Sequence, residues 1–352
     1  MYKINFLHGG DIYGIKRKYH KEVIDFSANI NLLGLPSRIK KLLRRNLDTV
    51  LHYPDPQAKD LIKAIARYWD IGEENILVGN GSIELIYLLA AAFKPKTALI
   101  AAPDFSEYER AMTIVKSRLR FLKLREENNF RFDITQVIAS DIFIISNPHN
   151  PTGNIINNSR DEIARMPPKI IVIDEAFMDF VPGEKNSTMI SRAVKSKKIF
   201  VLRTMTKFFA LPGLRCGYLI GHKDAIRMLK KYQAPWSVNS LAQIAAGNLL
   251  SDRTYIEKTR HYVGTEREVL FNEFSGIEGL KVFPSKVNFI LVKIEKKGIN
   301  SHFLSGRLLE KGIMIRDCSN FRNLNNKFIR VAVRKRGENM QLIRALKEIL
   351  EK

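Results

Sequence analysis

Six short runs rich in β-branched residues, NILVGN, KTALIAAP, DIFIISNP, KIIVIDEA, KIFVLRTM and GYLIGH, fall between about residues 75 and 220. Stretches of helical periodicity, such as SIELIYLLAAAF (82–93) and SEYERAMTIVKS (106–117), lie between several of them. The runs are continuously apolar rather than alternating, so each needs cover on both faces. That requirement predicts an α/β unit whose mostly parallel sheet is flanked by helices, with ligands bound where loops leave the carboxyl ends of strands.

Each of these strand ends carries polar residues. GNGS (79–82) follows ILV, SNPHNPTG (146–153) follows DIFII, DEAF (174–177) follows KIIVI, and RTMTK (203–207) follows FVL. Parallel strands share one edge of a sheet, so the four clusters are expected to converge. After a long charged helical stretch near 251–274 the pattern changes. KVNFILVKI (286–294), IMIRD (313–317) and FIRVAV (328–333) read as strands, HFLSGRLLEKG as a helix, and an amphipathic helix runs from Glu338 to the end. We expect a large domain over 31–254 and a smaller α+β domain formed by 255–352, with residues 1–30, too short to fold alone, docked against it. There is no internal repeat and no low-complexity linker.

The chain has 58 Lys and Arg against 36 Asp and Glu, a formal charge of +22. Such a balance suits nucleic acid, an acidic surface or an anionic small substrate. The basic residues are scattered, as in KLLRR, KSRLRFLKLR, KSKK and RKRG, without a recognition motif, which favours solvated faces and attraction of anionic small molecules over a nucleic-acid site. Cys216 and Cys318 lie far apart without CxxC spacing, so neither a disulfide framework nor a metal site is expected. The longest apolar run, IYLLAAAF at 86–93, is too short to span a bilayer, and the reading is a cytoplasmic chain with no membrane partner.

Three features carry chemistry. Asp174 directly follows a buried strand, where a carboxylate is desolvated unless it meets a cation or good donors. It is a helix N-cap, a surface-loop residue or a partner for a protonated ring nitrogen. Lys207, unremarkable alone, is flanked by the hydroxyls of Thr204 and Thr206 and followed by Arg215, whose guanidinium suits bidentate phosphate binding. Gly81 and Ser82 open a helix whose free N–H groups favour a phosphate. An amine beside a phosphate cradle and opposite a carboxylate is what pyridoxal phosphate requires. GNGSIE also matches the start of a GxGxxG dinucleotide fingerprint, but Glu84 replaces the third glycine.

With these residues placed, the chain resembles fold-type I pyridoxal-phosphate enzymes of the class I/II aminotransferase superfamily. The likeness runs over almost the whole length through GNGS, NPHNPTG, DEAF, TMTK, GLRCGY and FIRVAV in that order. The resemblance implies that Lys207 is the Schiff-base lysine and Asp174 the partner of the pyridinium nitrogen. It implies that Asn147 bonds the ring 3-hydroxyl, that Gly81, Ser82, Thr204, Thr206 and Arg215 cup the phosphate, and that Phe105 stacks on the ring. Tyr53 in HYPDP is similar to a tyrosine that reaches the cofactor phosphate from a second subunit, implying a homodimer with shared sites. Arg330 matches an arginine that grips the substrate carboxylate. Phe177 departs from the DEAY found in many relatives, histidinol-phosphate aminotransferases among them, and removes a hydroxyl from the cofactor's 3-oxygen.

Within the superfamily, HGGDIYG (8–14), DFSANINLLG (25–34), IRDCSNF (315–321) and RVAVR (330–334) resemble signatures of the threonine-phosphate decarboxylases of cobalamin biosynthesis. That likeness implies decarboxylation of L-threonine O-3-phosphate to (R)-1-amino-2-propanol O-2-phosphate, and makes His8, Gly9, Asn31, Asn147, Arg316 and Arg330 candidate substrate contacts. A phospho-amino-acid aminotransferase, a serine-phosphate decarboxylase and, in another class, a basic nucleic-acid binder remain open alternatives on sequence grounds.

Overall fold

Continuously apolar strands need two covers, and the computed structural model, which describes residues 8–351, supplies them. A two-residue strand β1 (Ile24–Asp25) precedes the central sheet, which comprises β2 (Ile76–Gly79), β3 (Thr97–Ala102), β4 (Arg118–Lys123), β5 (Ile142–Ser146), β6 (Ile170–Asp174), β7 (Ile199–Thr204) and β8 (Gly217–Ile220). Their spatial order is β2-β8-β7-β6-β5-β3-β4, and only β8 runs against the other six. Successive residues of a strand point to opposite faces. Ile171 and Ile173 of β6 accordingly enter one core, with helices Lys59–Trp69 and Ser240–Leu249, while Val172 enters another beneath helices Gly81–Phe93 and Ser106–Ile114. Each such buried Ile or Val contributes about 1.5–3 kcal/mol of burial.

β4 was not expected. Its sequence RLRFLK sits within one of the basic runs, but Arg118, Arg120 and Lys123 are exposed on the outermost strand of the sheet while Leu122 is buried. Charged side chains on an edge strand discourage pairing with another chain, so part of the positive charge serves the sheet's border.

The 23-residue helix Arg253–Ser275 leads into a second, antiparallel sheet. It contains β9 (Leu280–Val282) and β10 (Phe289–Ile294); β11 (Ile313–Met314) stands apart from it, and β12 (Arg316–Asp317) and β13 (Phe328–Ala332) complete it in the order β12-β13-β10-β9. The N-terminal segment docks here. β1 pairs in parallel with β11, Phe26 O accepts from Ala332 N at 2.8 Å, and Ile15 packs with Leu309 and Met314.

Because β2, β3, β5, β6 and β7 end on the same rim, Gly79, Ala102, Ser146, Asp174 and Thr204 lie side by side, with Ser146 opposite Asp174 in register. The reversed β8 begins there, so Arg215 enters the rim from the other direction, with Gly217 opposite both Thr204 and Gly79. The neighbours β3 and β5 lead into connections on opposite sides of the sheet, and the loops leaving them open a crevice at this switch of direction. Among the described residues, no helix is long and apolar enough to cross a membrane.

Candidate active site

A cavity of about 730 Å³ opens at this rim, between the central sheet and the second one. Lys207, Asp174, Ser82, Phe105, Thr204, Thr206 and Arg215 line it, joined from the N-terminal and C-terminal segments by His8, Gly9, Arg316 and Arg330.

Asp174 is the last residue of β6 and is buried; its Oδ2 accepts from Tyr108 Oη at 2.7 Å and its Oδ1 from the Ala176 N–H at 2.9 Å. Burial pushes its carboxyl pKa up, against the pull of these donors and of Lys207. Such a carboxylate is short of positive charge, which a protonated ring nitrogen would supply. Lys207 follows β7 and opens on the same cavity. Burial first, then the nearby cations Arg330 and Arg215, push its ammonium down to about 8, while Asp174 pulls the other way. At neutral pH a useful share is therefore free amine, the nucleophilic form.

The phosphate end is defined by what cannot fit there. Gly81 has a φ of +77°, and a Cβ at this position would stand 2.4 Å from Arg215 Nη2. A Cβ on Gly217 would come within 2.4 Å of the Ser82 N–H nitrogen. Backbone, guanidinium and helix start thus form one close-fitting cup, with the Thr204 and Thr206 hydroxyls 2.9 Å apart beside it. Arg215 itself holds φ at +58°, a left-handed backbone uncommon for a residue other than glycine, two residues before β8 begins. The donor set and the shape fit the phosphate of pyridoxal phosphate, with Phe105 on the cavity wall as a stacking face.

Two expected positions are corrected. Asn147 does not line the cavity: its Oδ1 accepts from the Ile156 N–H at 3.0 Å and its own N–H donates to Asp174 O at 2.8 Å. Asn150, three residues later, faces the cavity and accepts from Arg330 through its Oδ1. Asn31 is likewise turned away, with its amide donating to Phe208 O, Tyr255 Oη and Thr259 Oγ1, while its backbone N–H donates to Lys207 O at 3.0 Å. Asn29 takes the cavity position and, with its amide oxygen toward Arg330, accepts from the guanidinium at 3.2 Å. Tyr53 lies outside this cavity, 80% exposed and stacked on Trp236 at 4.6 Å.

Arg330 on β13 stands opposite Arg316 on β12 in register. Among the described residues no carboxylate pairs with Arg330; its Nη2 donates to Ser27 O at 3.3 Å and its guanidinium lies 5.1 Å from the centre of the Phe289 ring. Burial pushes its pKa down to about 10, leaving it charged at neutral pH. A buried cation without a carboxylate invites an anionic ligand. Arg316 Nη2 donates to Asn320 Oδ1 at 2.7 Å, and its guanidinium lies 5.2 Å from the centre of the Phe321 ring.

Behind Phe105, the sequence reading missed a buried polar network. Asp104 accepts from Ser146 N–H (2.9 Å), Ser146 Oγ (2.6 Å) and Phe105 N–H (2.8 Å), and burial pushes its carboxyl up to about 7. His149 Nε2 lies 3.8 Å from Asp104, but burial pushes that imidazole down to about 4, so at neutral pH the pair is not ionic. A histidine kept neutral by the fold loses stability to acid, because the unfolded chain binds a proton below about pH 6.5 and the folded one only near 4. We expect the unfolding free energy of the parent, relative to a His149→Gln variant, to fall by about 3 kcal/mol between pH 7 and 4, as read from denaturant titrations at each pH.

Residues 21–348 match the family described as aminotransferase class I and II. A protein of Caldanaerobacter subterraneus provisionally named threonine-phosphate decarboxylase is 43% identical over 98% of this chain and 94% of its own length. The threonine-phosphate decarboxylase of Salmonella typhimurium is 35% identical over 98% of this chain and 97% of its own. Among solved structures, the histidinol-phosphate aminotransferase of Clostridium acetobutylicum superposes with a TM-score of 0.85 at 33% identity, covering 93% of this chain and 98% of the other.

Proposed function

Because the chain belongs to the class I and II aminotransferase family, we propose that it is a pyridoxal-phosphate-dependent carboxy-lyase that acts in cobalamin biosynthesis. It removes CO2 from L-threonine O-3-phosphate and leaves (R)-1-amino-2-propanol O-2-phosphate. The observation that carries the substrate is the rung Arg316–Arg330, two guanidinium groups on the wall of the cavity that Lys207 also lines. An amino acid bearing both a carboxylate and a phosphate matches two such donors. The names of the 43% and 35% identical relatives support the same reading.

Pyridoxal phosphate, when bound, supplies an electron sink conjugated to the amino-acid nitrogen. Lys207 would hold it covalently, Asp174 would meet the ring nitrogen, Phe105 would stack on it, and Gly81, Ser82, Thr204, Thr206 and Arg215 would take the phosphate. Asn150, which lines the cavity, would take the place of Asn147 as the donor to the ring 3-oxygen. Arg330 and Arg316, with His8 and Gly9, orient the substrate and so decide which bond at Cα is presented for cleavage. The proton returned to Cα could come from Lys207 Nζ or from water. The exposed Tyr53, with Leu47, Val50 and Leu51 also exposed nearby, is read as reaching the cavity of a second copy in a homodimer. Residues 31–254 form the cofactor-holding domain, 1–30 and 255–352 the substrate-side domain, and the enzyme works in the cytoplasm.

Incubation with threonine phosphate, scored for CO2 against keto acid, tests this reading. CO2 release without added 2-oxoglutarate is expected, whereas a requirement for 2-oxoglutarate overturns it. The 33% identity to a histidinol-phosphate aminotransferase structure makes that transamination the second reading, and the same assay run with histidinol phosphate separates the two.

A further inference from the structure

Glu107 is an acidic side chain where the fold has little reason to bury one. It sits in the first turn of helix Ser106–Ile114, where exposure would already give it the favourable interaction with the helix dipole. Its side chain is instead 3% exposed, accepting from Tyr87 Oη at 2.5 Å and from His8 Nε2 at 2.8 Å, with Arg110 Nη1 3.8 Å away. Burial works to raise this carboxyl, yet the Tyr87 and His8 donors and the Arg110 charge hold it below the usual range, so it is ionised. Glu107 does not line the cavity; His8 does, with its ring 5.5 Å from that of Phe105. Glu107 can therefore reach a ligand only through His8.

A carboxylate on Nε2 fixes the orientation of an imidazole and leaves Nδ1 as the ring nitrogen available to a ligand. We propose that Glu107 is a positioning residue that fixes His8 at the cavity mouth as a contact to the phosphate group of the substrate. The proposal rests on the phospho-amino-acid reading above. It also assigns a use to the docking of the N-terminal segment: Gly9, whose Cβ would collide with Ser27 O at 2.2 Å, brings the chain close enough for His8 to meet Glu107.

Glu107→Gln keeps the shape and an acceptor but removes the charge. We expect KM for threonine phosphate to rise about tenfold with kcat within twofold of the parent, the loss of one charge-assisted hydrogen bond in ground state and transition state alike. Inorganic phosphate should lose potency as a competitive inhibitor by the same factor. His8→Ala should raise KM similarly, and the double variant should be no worse than His8→Ala alone, since Glu107 acts through that ring. An unchanged KM in Glu107→Gln, or additive effects in the double variant, overturns the proposal. A parent that turns over histidinol phosphate in place of threonine phosphate overturns the substrate assignment instead, and the same ratios measured with that substrate then judge Glu107.

Discussion

Lys207→Ala should abolish turnover, lowering kcat by on the order of 10⁴-fold or more, as expected when a covalent nucleophile is removed from a group that works as a unit. The protein should also lose the visible absorbance of the attached cofactor. An exposed lysine, Lys230, serves as the control, and Lys230→Ala should keep both colour and activity. The expectation follows from where the amine sits: burial and two neighbouring guanidinium groups depress its pKa to about 8, beside Asp174 and the Gly81–Arg215 cup. Full activity in Lys207→Ala would mean that the cavity holds a different chemistry.

The second large effect pits stability against activity. Asp174→Asn keeps an acceptor for Tyr108 but removes the buried charge. Breaking one side of a buried ion pair costs about 3–5 kcal/mol, so kcat should fall by roughly 10²–10⁴-fold if the ring nitrogen is the other side. The cofactor-free protein should respond the other way. Because burial raises the Asp174 carboxyl in the fold, its ionisation penalises the folded state above the ordinary carboxylate range, and that penalty grows as pH rises through the raised value. The cofactor-free variant at pH 8 should thus melt no lower than its parent, as followed by thermal denaturation. A variant that keeps kcat while melting much lower would mark Asp174 as a structural residue.

The chemistry at the central sheet was legible because each cluster follows a strand, and strand ends of a parallel sheet have nowhere else to go. Gly81, Asp174, Thr204, Lys207 and Arg215 reach one rim for that reason. What could not be read was which of two nearby asparagines turns inward. Asn147 against Asn150, and Asn31 against Asn29, differ by turn geometry in segments without periodicity, and only the backbone path decides. Tyr108 was missed although a signal existed: it lies in the first turn of the helix that Phe105 precedes, and its ring meets that of Phe105 at 5.6 Å. β4 was hidden because an edge strand carries charges in place of the buried residues that mark its neighbours. Asp104 had no signature beyond a loop aspartate, and its burial comes from contacts with β5, distant in the chain.

The reversed direction of β8 has a further consequence. It closes β7, Lys207 and Arg215 into a single tight excursion of chain, so the attachment point and the phosphate anchor cannot drift apart unless the sheet itself tears. Arg316 and Arg330 hang on a separate frame with His8 beside them. The molecule is therefore built as a fixed reactor with a replaceable address label: grafting another sequence onto the frame around β12 and β13 should redirect which metabolite is accepted, while the machinery that breaks its bond stays intact.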